Sequence, residues 1–332
     1  MLNYLTPLLS LRPKRSHAVP LRHSYKAALH WLLSYRLPGP AIPVTNIDPT
    51  PYPEVTGYIV PTLLECGEKD FALDLAKWLI SVQRPDGGLT APDGLDEPYL
   101  FDVGQVLRGL VAVAHELPDA EEPIRLAANW MLDSADGNGI IRPMPDCAWS
   151  RRYARDIDES IHLYVLPPLI AAGRLLGEQR YVDCAERTLD YFVHKPDLLQ
   201  FNMLTHFYGY VLEALVDLER PDLARLGLQP VMDAQDAKGA IPAIPGARWI
   251  CSPGQAQMAV VGYKLGETVF ADKAIGYLQR LQRPDGGFLG SYGAGAAYFP
   301  KSEPSWACKY FLDAYHWKLR TAPTAQAEPC RI

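Results

Sequence analysis

Gln83-Arg84-Pro85-Asp86-Gly87-Gly88 recurs, letter for letter, as Gln282-Arg283-Pro284-Asp285-Gly286-Gly287. Each copy ends a helix-like run, Lys77-Trp78-Leu79-Ile80 before the first and Gly276-Tyr277-Leu278-Gln279 before the second. Proline stops such a run by removing a backbone donor and by disfavouring helix at the residue before it. Asp-Gly-Gly then forms a turn in which glycine accepts positive φ. The same punctuation near both ends implies one helical unit copied along the chain.

Working outward from the two copies, apolar periodicity predicts twelve helices, over 25–36, 57–66, 69–83, 101–116, 121–133, 159–176, 178–194, 204–220, 222–234, 253–266, 269–282 and 304–319. Pro167 and Pro168 predict a bend in the sixth. Asp136-Gly137-Asn138-Gly139 and Lys238-Gly239-Ala240 fill two further turn slots. The stretch 37–53, with Pro38, Pro40, Pro43, Pro49, Pro51 and Pro53, reads as an ordered loop. The helices alternate in kind. One set has a polar side; the other is apolar nearly all round, with glycines such as Gly104, Gly109, Gly209 and Gly262. Helices apolar all round are buried, and glycines inside them mark close helix contacts. The buried set begins near Glu54, Asp102, Glu159, His206, Ser252 and Ser305. The expectation is an all-α chain of six helical hairpins in a closed double-layered ring over 25–320, with an arm at 1–24 and a tail at 321–332. An open solenoid is the alternative. Closure is expected because the two copies fall in the second and sixth units and neither end carries an obvious polar cap.

The 332 residues are 48% hydrophobic, enough for a large core. A net charge of -6 argues against a broad nucleic-acid-binding face. Six dispersed cysteines form no CxxC pair and read mainly as buried thiols. Met1–Ser10 is apolar, but Arg12, Lys14 and Arg15 follow it, the reverse of a secretory signal. With no run long enough to span a bilayer, the expectation is a cytoplasmic protein without a transmembrane segment.

This layout resembles the (α/α)6 toroid superfamily over residues 25–320, which includes glycoside hydrolases, unsaturated-uronyl hydrolases, sugar epimerases and polysaccharide lyases. A weaker resemblance is to terpene cyclases and prenyltransferases of the same ring shape. Asp156-Ile157-Asp158-Glu159 is similar to the cyclase Asp-x-Asp-Asp, with Glu in the last place. The Gln83–Leu89 and Gln282–Phe288 turns are similar to the cyclase Gln-x-x-x-Gly-x-Trp, without the Trp. The resemblance implies a site in the bowl at the N-terminal ends of the inner helices, where free backbone donors gather.

The segments leading into those helices mix aromatic and acidic residues, as a sugar cleft requires: rings stack on pyranose faces and carboxylates receive hydroxyls. Asp102, Asp158 and Glu159 are the acidic candidates for catalysis. Asp102 and Asp158 are the first choice as acid and base, since glycosidic hydrolysis needs two carboxylates flanking the bond. Tyr58 and His162 are the reserve pair for proton transfer at a uronate carbon, as in an epimerase or lyase. Glu54, Tyr52, Arg152, Arg155, His206, Tyr208, Trp249, Tyr298, Glu303 and Trp306 are the candidate binding residues, the arginines for a uronate carboxylate. His162, His206 and Cys251 are too dispersed for a short zinc motif, and no phosphate loop or dinucleotide fingerprint occurs, so no metal or cofactor is expected. The expected partner is a carbohydrate, an intracellular and uronate-containing oligo- or polysaccharide. An isoprenoid enzyme and a non-catalytic glycan-binding or scaffold protein are the alternatives. Bowl character separates the first two: sugars need a wet groove, polyprenyl chains a dry aromatic pocket.

Overall fold

The structure, a computed structural model, describes residues 19–35, 37, 39–93 and 95–322. Its helices are α1 (Leu21–Ser34), α2 (Pro53–Glu65), α3 (Lys69–Val82), α4 (Leu100–Val113), α5 (Glu121–Asp133), α6 (Ala148–Tyr153), α7 (Leu166–Leu176), α8 (Gln179–Val193), α9 (Thr205–Asp217), α10 (Pro221–Ala234), α11 (Ser252–Leu265), α12 (Thr268–Gln279) and α13 (Ser305–Thr321). The apolar set α2, α4, α7, α9, α11 and α13 forms the inner layer, each packed against its neighbours and α13 back against α2. Every inner helix pairs with an outer one: α2 with α3, α4 with α5, α7 with α8, α9 with α10, α11 with α12, and α13 with α1. The molecule is therefore an (α/α)6 toroid.

The repeated turns staple adjacent units. The Gln83 side chain ends α3 and donates to Gly87 O at 3.1 Å and to Pro123 O, on α5, at 3.0 Å. Gln235 does the same between α10 and α12, reaching Gly239 O and Phe270 O. Gln282 donates to Gly286 O at 2.9 Å and to Ser24 O, on α1, at 2.8 Å, which ties the last unit to the first. The seam is also closed at the rim. Asn46 N donates to Glu303 O, Glu303 N to Asn46 Oδ1, and Ser305 Oγ to Pro43 O.

Asp86 and Asp285 brace these turns, each accepting from the amide two residues on, Gly88 N at 3.0 Å and Gly287 N at 3.1 Å. Asp86→Asn weakens this charge-assisted bond and the Arg84 pair beside it. A loss of about 0.5–1 kcal/mol in a denaturant titration is expected, with turnover unchanged.

Several boundaries differ from the sequence expectation. α1 begins at Leu21, inside the expected arm. Residues 1–18 and 323–332, most of the arm and tail, lie outside the described residues. The expected helix 159–176 is two pieces, a 3₁₀ segment Glu159–Val165 followed by α7. Pro167 and Pro168 lack the amides an α-helix through this point would need, so the break falls just before them. The proline-rich loop contains a small antiparallel hairpin, β1 (Pro43–Thr45) with β2 (Asp48–Pro51). A second pair, β3 (Trp249–Cys251) and β4 (Ser291–Gly293), links the loops before α11 and α13. Among the described residues no helix is long and apolar enough to cross a membrane. Cys66, Cys184, Cys251 and Cys308 are buried free thiols.

Candidate active site

The N-terminal turns of α2, α4, α9 and α13 surround a cavity of about 220 Å³. α2 contributes Glu54 and Tyr58, α4 contributes Phe101 and Asp102, α9 contributes His206, Phe207 and Tyr210, and α13 contributes Trp306. Loops add Tyr52 and Tyr99, the pair Tyr298 and Phe299, and, from the segment around α6, Trp149, Tyr153 and Ile157. α2 and α4 can present their residues side by side because they touch backbone to backbone. A side chain at Gly57 would strike the Gln105 carbonyl, and one at Gly109 would strike Gly57 itself. The segment carrying α6 is strapped across the rim by Arg152–Asp93 at 3.1 Å, Arg151–Glu97 at 3.0 Å, and Ala148 N donating to Glu97 at 2.6 Å. Phe299 holds φ 47, a conformation costly for a bulky side chain, and it does so in the cavity wall.

Two carboxyls share this aromatic space. Burial pushes Asp102 up to about 7; the Tyr52 hydroxyl, bonded to it, opposes the rise, and Asp93 adds to it. Asp102 Oδ2 is buried without a hydrogen-bond partner. Burial also pushes Glu54 well above the carboxylate range, and the nearby Asp102 charge pushes it further. Like charges in one poorly solvated cavity cannot both ionise freely, so the two acids titrate as a pair. The hydroxyl of Tyr52 favours the anion on Asp102.

His206 is buried and neutral, depressed to about 3 by burial. Its Nδ1 faces Gln257 Oε1 at 3.0 Å, and Nε2 meets the Tyr210 hydroxyl at 2.9 Å. Tyr298 receives the Trp306 indole N–H at 3.1 Å.

Of the residues singled out from sequence, Tyr52, Glu54, Tyr58, Asp102, His206, Tyr298 and Trp306 converge on the cavity. The others do not line it. Asp158 caps the 3₁₀ segment, its Oδ1 accepting from Ser160 N at 2.8 Å. Glu159 is held by Lys195 at 2.7 Å and by Tyr191. His162 lies beneath the wall, its Nδ1 bonded to Glu159 O at 2.8 Å and its ring edge-on to Trp149. Burial depresses it to about 4. The first-choice pair Asp102 and Asp158 is thus not assembled, because a residue that caps a helix points its carboxylate back at the backbone. The Tyr58 and His162 pairing is likewise not assembled. Arg152 is engaged with Asp93, and Arg155 is exposed on the rim. Tyr208 is buried between α9 and α10, its single hydroxyl proton facing the carbonyls of Leu199 at 2.8 Å and Gly227 at 3.0 Å. Trp249 lines a separate surface groove beside Tyr277. Glu303 sits beneath the second repeat turn, receiving Trp31 Nε1 at 2.7 Å and pairing with Arg283 at 2.5 Å.

Tyr210 was missed from sequence, and a signal existed for it. It lies four residues after His206, hence on the same helix face. Trp149 and Phe299 had none: Trp149 sits on the short helix α6, of 6 residues and too brief to show a period, and Phe299 in a loop.

No protein-family model matches the sequence, and no curated protein matches it. Solved structures do match over nearly the whole chain. An alpha-amylase from Clostridium perfringens superposes with a TM-score of 0.68 at 12% identity, covering 91% of this chain and 99% of that one. An unsaturated glucuronyl hydrolase specific for heparin gives 0.65 at 14% identity, covering 90% and 97%. A type II terpene cyclase from Scytonema, in complex with geranylgeranyl dihydroxybenzoate, gives 0.61 at 15% identity, covering 91% and 98%. At such identities the likeness is one of fold, and the fold is a toroid that glycan-active enzymes and a terpene cyclase share.

Proposed function

We propose that the chain is an acid–base enzyme that processes a single neutral sugar ring at the end of a glycan, with Glu54 as proton donor and Asp102 as the second carboxylate. The observation that carries this is the pair of buried carboxyls on adjacent inner helices, both lining one aromatic cavity. In glycosidic hydrolysis one acid protonates the leaving oxygen while the other carboxylate attacks the anomeric carbon or activates water. Tyr and Trp faces around the ring stabilise the positive charge that develops there.

The cavity volume supports one ring. About 220 Å³ exceeds the ~150 Å³ of a cavity that takes a benzene-sized guest, and it is less than an extended oligosaccharide needs. The lining supports a neutral ring. Among the described residues lining the cavity there is no Arg or Lys, so a uronate carboxylate would meet two acids without a counter-charge. The reading therefore departs from a uronate-containing substrate.

A second reading is acid-initiated cyclisation of an unsaturated hydrocarbon, in which the same acid protonates a carbon–carbon double bond. Its support is the largely aromatic and aliphatic wall, drier than a sugar groove. One assay separates the two. The protein is incubated with neutral aryl and oligosaccharide glycosides, with uronate-terminated glycosides, and with polyprenyl compounds lacking a diphosphate. Release of a neutral monosaccharide is the expected result. Release only of uronate, or cyclisation of the polyprenyl compound without action on any glycoside, overturns the neutral-sugar assignment.

A further inference from the structure

His206 and Tyr210 are connected to a buried ionic cluster on the far side of the cavity wall. Lys264 on α11 pairs with Glu213 on α9 at 3.2 Å and with Asp217 at 2.7 Å. Burial alone would raise the Glu213 carboxyl, but Lys264, Lys309 and Arg108 hold it down to about 2. Tyr164 also donates to it, at 3.3 Å. An ionised carboxylate only accepts hydrogen bonds. The Gln257 atom that faces Glu213 Oε2, at 3.2 Å, must therefore be the amide nitrogen. That turns Gln257 Oε1 toward His206 Nδ1. An acceptor opposite Nδ1 requires the imidazole proton there, which leaves a lone pair on Nε2. Nε2 then takes the Tyr210 hydroxyl proton.

Each step is forced by the one before it, and the last reaches the ligand space. With its proton committed to His206, Tyr210 has none to offer the cavity. Toward the cavity its oxygen can only accept.

We propose that Glu213 and Gln257 are positioning residues that fix the Nδ1–H tautomer of His206 and so make Tyr210 an obligate acceptor, selecting a ligand that presents a hydroxyl donor at that point of the wall. The inference rests on the cavity being the ligand site, not on the reaction performed in it. It accords with a polyhydroxylic ring, because a hydrocarbon has no hydroxyl to donate to an acceptor at that point of the wall.

The tautomer is measured directly, with no substrate, by long-range proton–nitrogen NMR on ¹⁵N-labelled full-length protein, with His206 assigned from a His206→Gln variant. The expected wild-type pattern is a protonated Nδ1 and a bare Nε2; a protonated Nε2 overturns the proposal. In Glu213→Gln the amide of Gln257 is no longer held in one orientation, and the second tautomer is expected to appear. A folded Glu213→Gln protein that keeps the wild-type pattern removes Glu213 from the chain. If that variant does not fold, Gln257→Leu gives the same comparison one step nearer to His206. In the ligand arm, methyl glucoside and its deoxyfluoro analogues are titrated, since fluorine cannot donate. One analogue is expected to bind about tenfold more weakly to wild type, with the difference lost in Tyr210→Phe. A penalty that survives in Tyr210→Phe counts against the acceptor role. If no sugar binds at all, the substrate class of the proposed function fails, while the tautomer measurement still decides this inference.

Discussion

Asp102→Asn is expected to lower turnover of the processed glycoside by about 10²–10⁴-fold while raising thermal stability above neutral pH. The first effect follows from removing one member of a general acid–base pair. The second follows from burial. Asp102 is only 5% exposed, and its folded-state value is about 7 against an ordinary 3.8. Below the unfolded value both states hold the proton, and the side chain costs nothing. As pH rises from about 4 toward 7 the unfolded chain ionises while the folded one resists, so stability is lost across that window. Above it the deficit is roughly 1–4 kcal/mol. Asn carries no charge to desolvate, so the Asp102→Asn melting temperature should fall less between pH 4 and 8 than the wild-type one. Melting curves across that range, paired with turnover at each pH, check both halves. An inactive protein whose melting profile matches wild type would remove Asp102 from the buried pair. Asp158→Ala is the contrast. It should cost about 1 kcal/mol as a lost cap and leave turnover intact.

Opposite signs for activity and stability mark a functional site, because a core acid kept only for structure would not destabilise the fold that holds it. Glu303 is the structural counterpart: it is buried like Asp102, and burial and Asp285 raise its carboxyl too, but the Trp31 indole and the Arg283 guanidinium oppose that rise.

What was legible in the sequence divides along the same line. The alternation of apolar and half-polar helices is a one-dimensional pattern, so the layers and their order could be read from it, as could the closing of the ring from the twin Gln-Arg-Pro-Asp-Gly-Gly turns. Asp102, Glu54 and His206 were legible because each falls within the first turn of an apolar helix. Asp158 has the same sequence position relative to the run after it. Its helix, however, begins with a 3₁₀ turn, which rotates the following residues and leaves Asp158 as a cap outside the cavity. Pairing Glu54 with Asp102 was not legible. It depends on the contact of Gly57 with Gly109, and sequence marks the glycines as close-contact points without saying what they touch. The aromatic wall around Trp149 depends on ion pairs between the short α6 and the loop before α4, neither of which carries a readable period.

The twin turns also supply the largest stability effects expected in the chain. Gly87 has φ 92 and Gly286 has φ 100, both in the left-handed region. A Cβ at Gly87 would be driven into the Leu126 carbonyl of α5, and one at Gly286 into the Ala27 carbonyl of α1. Gly→Ala at either site combines backbone strain of roughly 1–2 kcal/mol with overpacking against rigid helix backbone, in total about 3–5 kcal/mol. Two other glycines separate these terms. Gly266 has φ 83 with open space around its missing Cβ, so Gly266→Ala should cost only the strain, about 1 kcal/mol. Gly276 lies inside α12 with nothing near it, and Gly276→Ala should stabilise by about 0.5–1 kcal/mol. Urea titrations of the four variants are expected to rank them in that order. The Gly87 and Gly286 variants then ask whether closure is one cooperative event. The Gly87 turn joins α3 to α5, between consecutive units, whereas the Gly286 turn joins α12 to α1, where the first and last units meet. In a ring that folds as a unit both substitutions shift a single transition by similar amounts. If Gly286→Ala instead splits the transition in two while Gly87→Ala does not, the first and last units dock onto an array that is already folded, and the seam at Gln282 and Ser24 is the last contact to form.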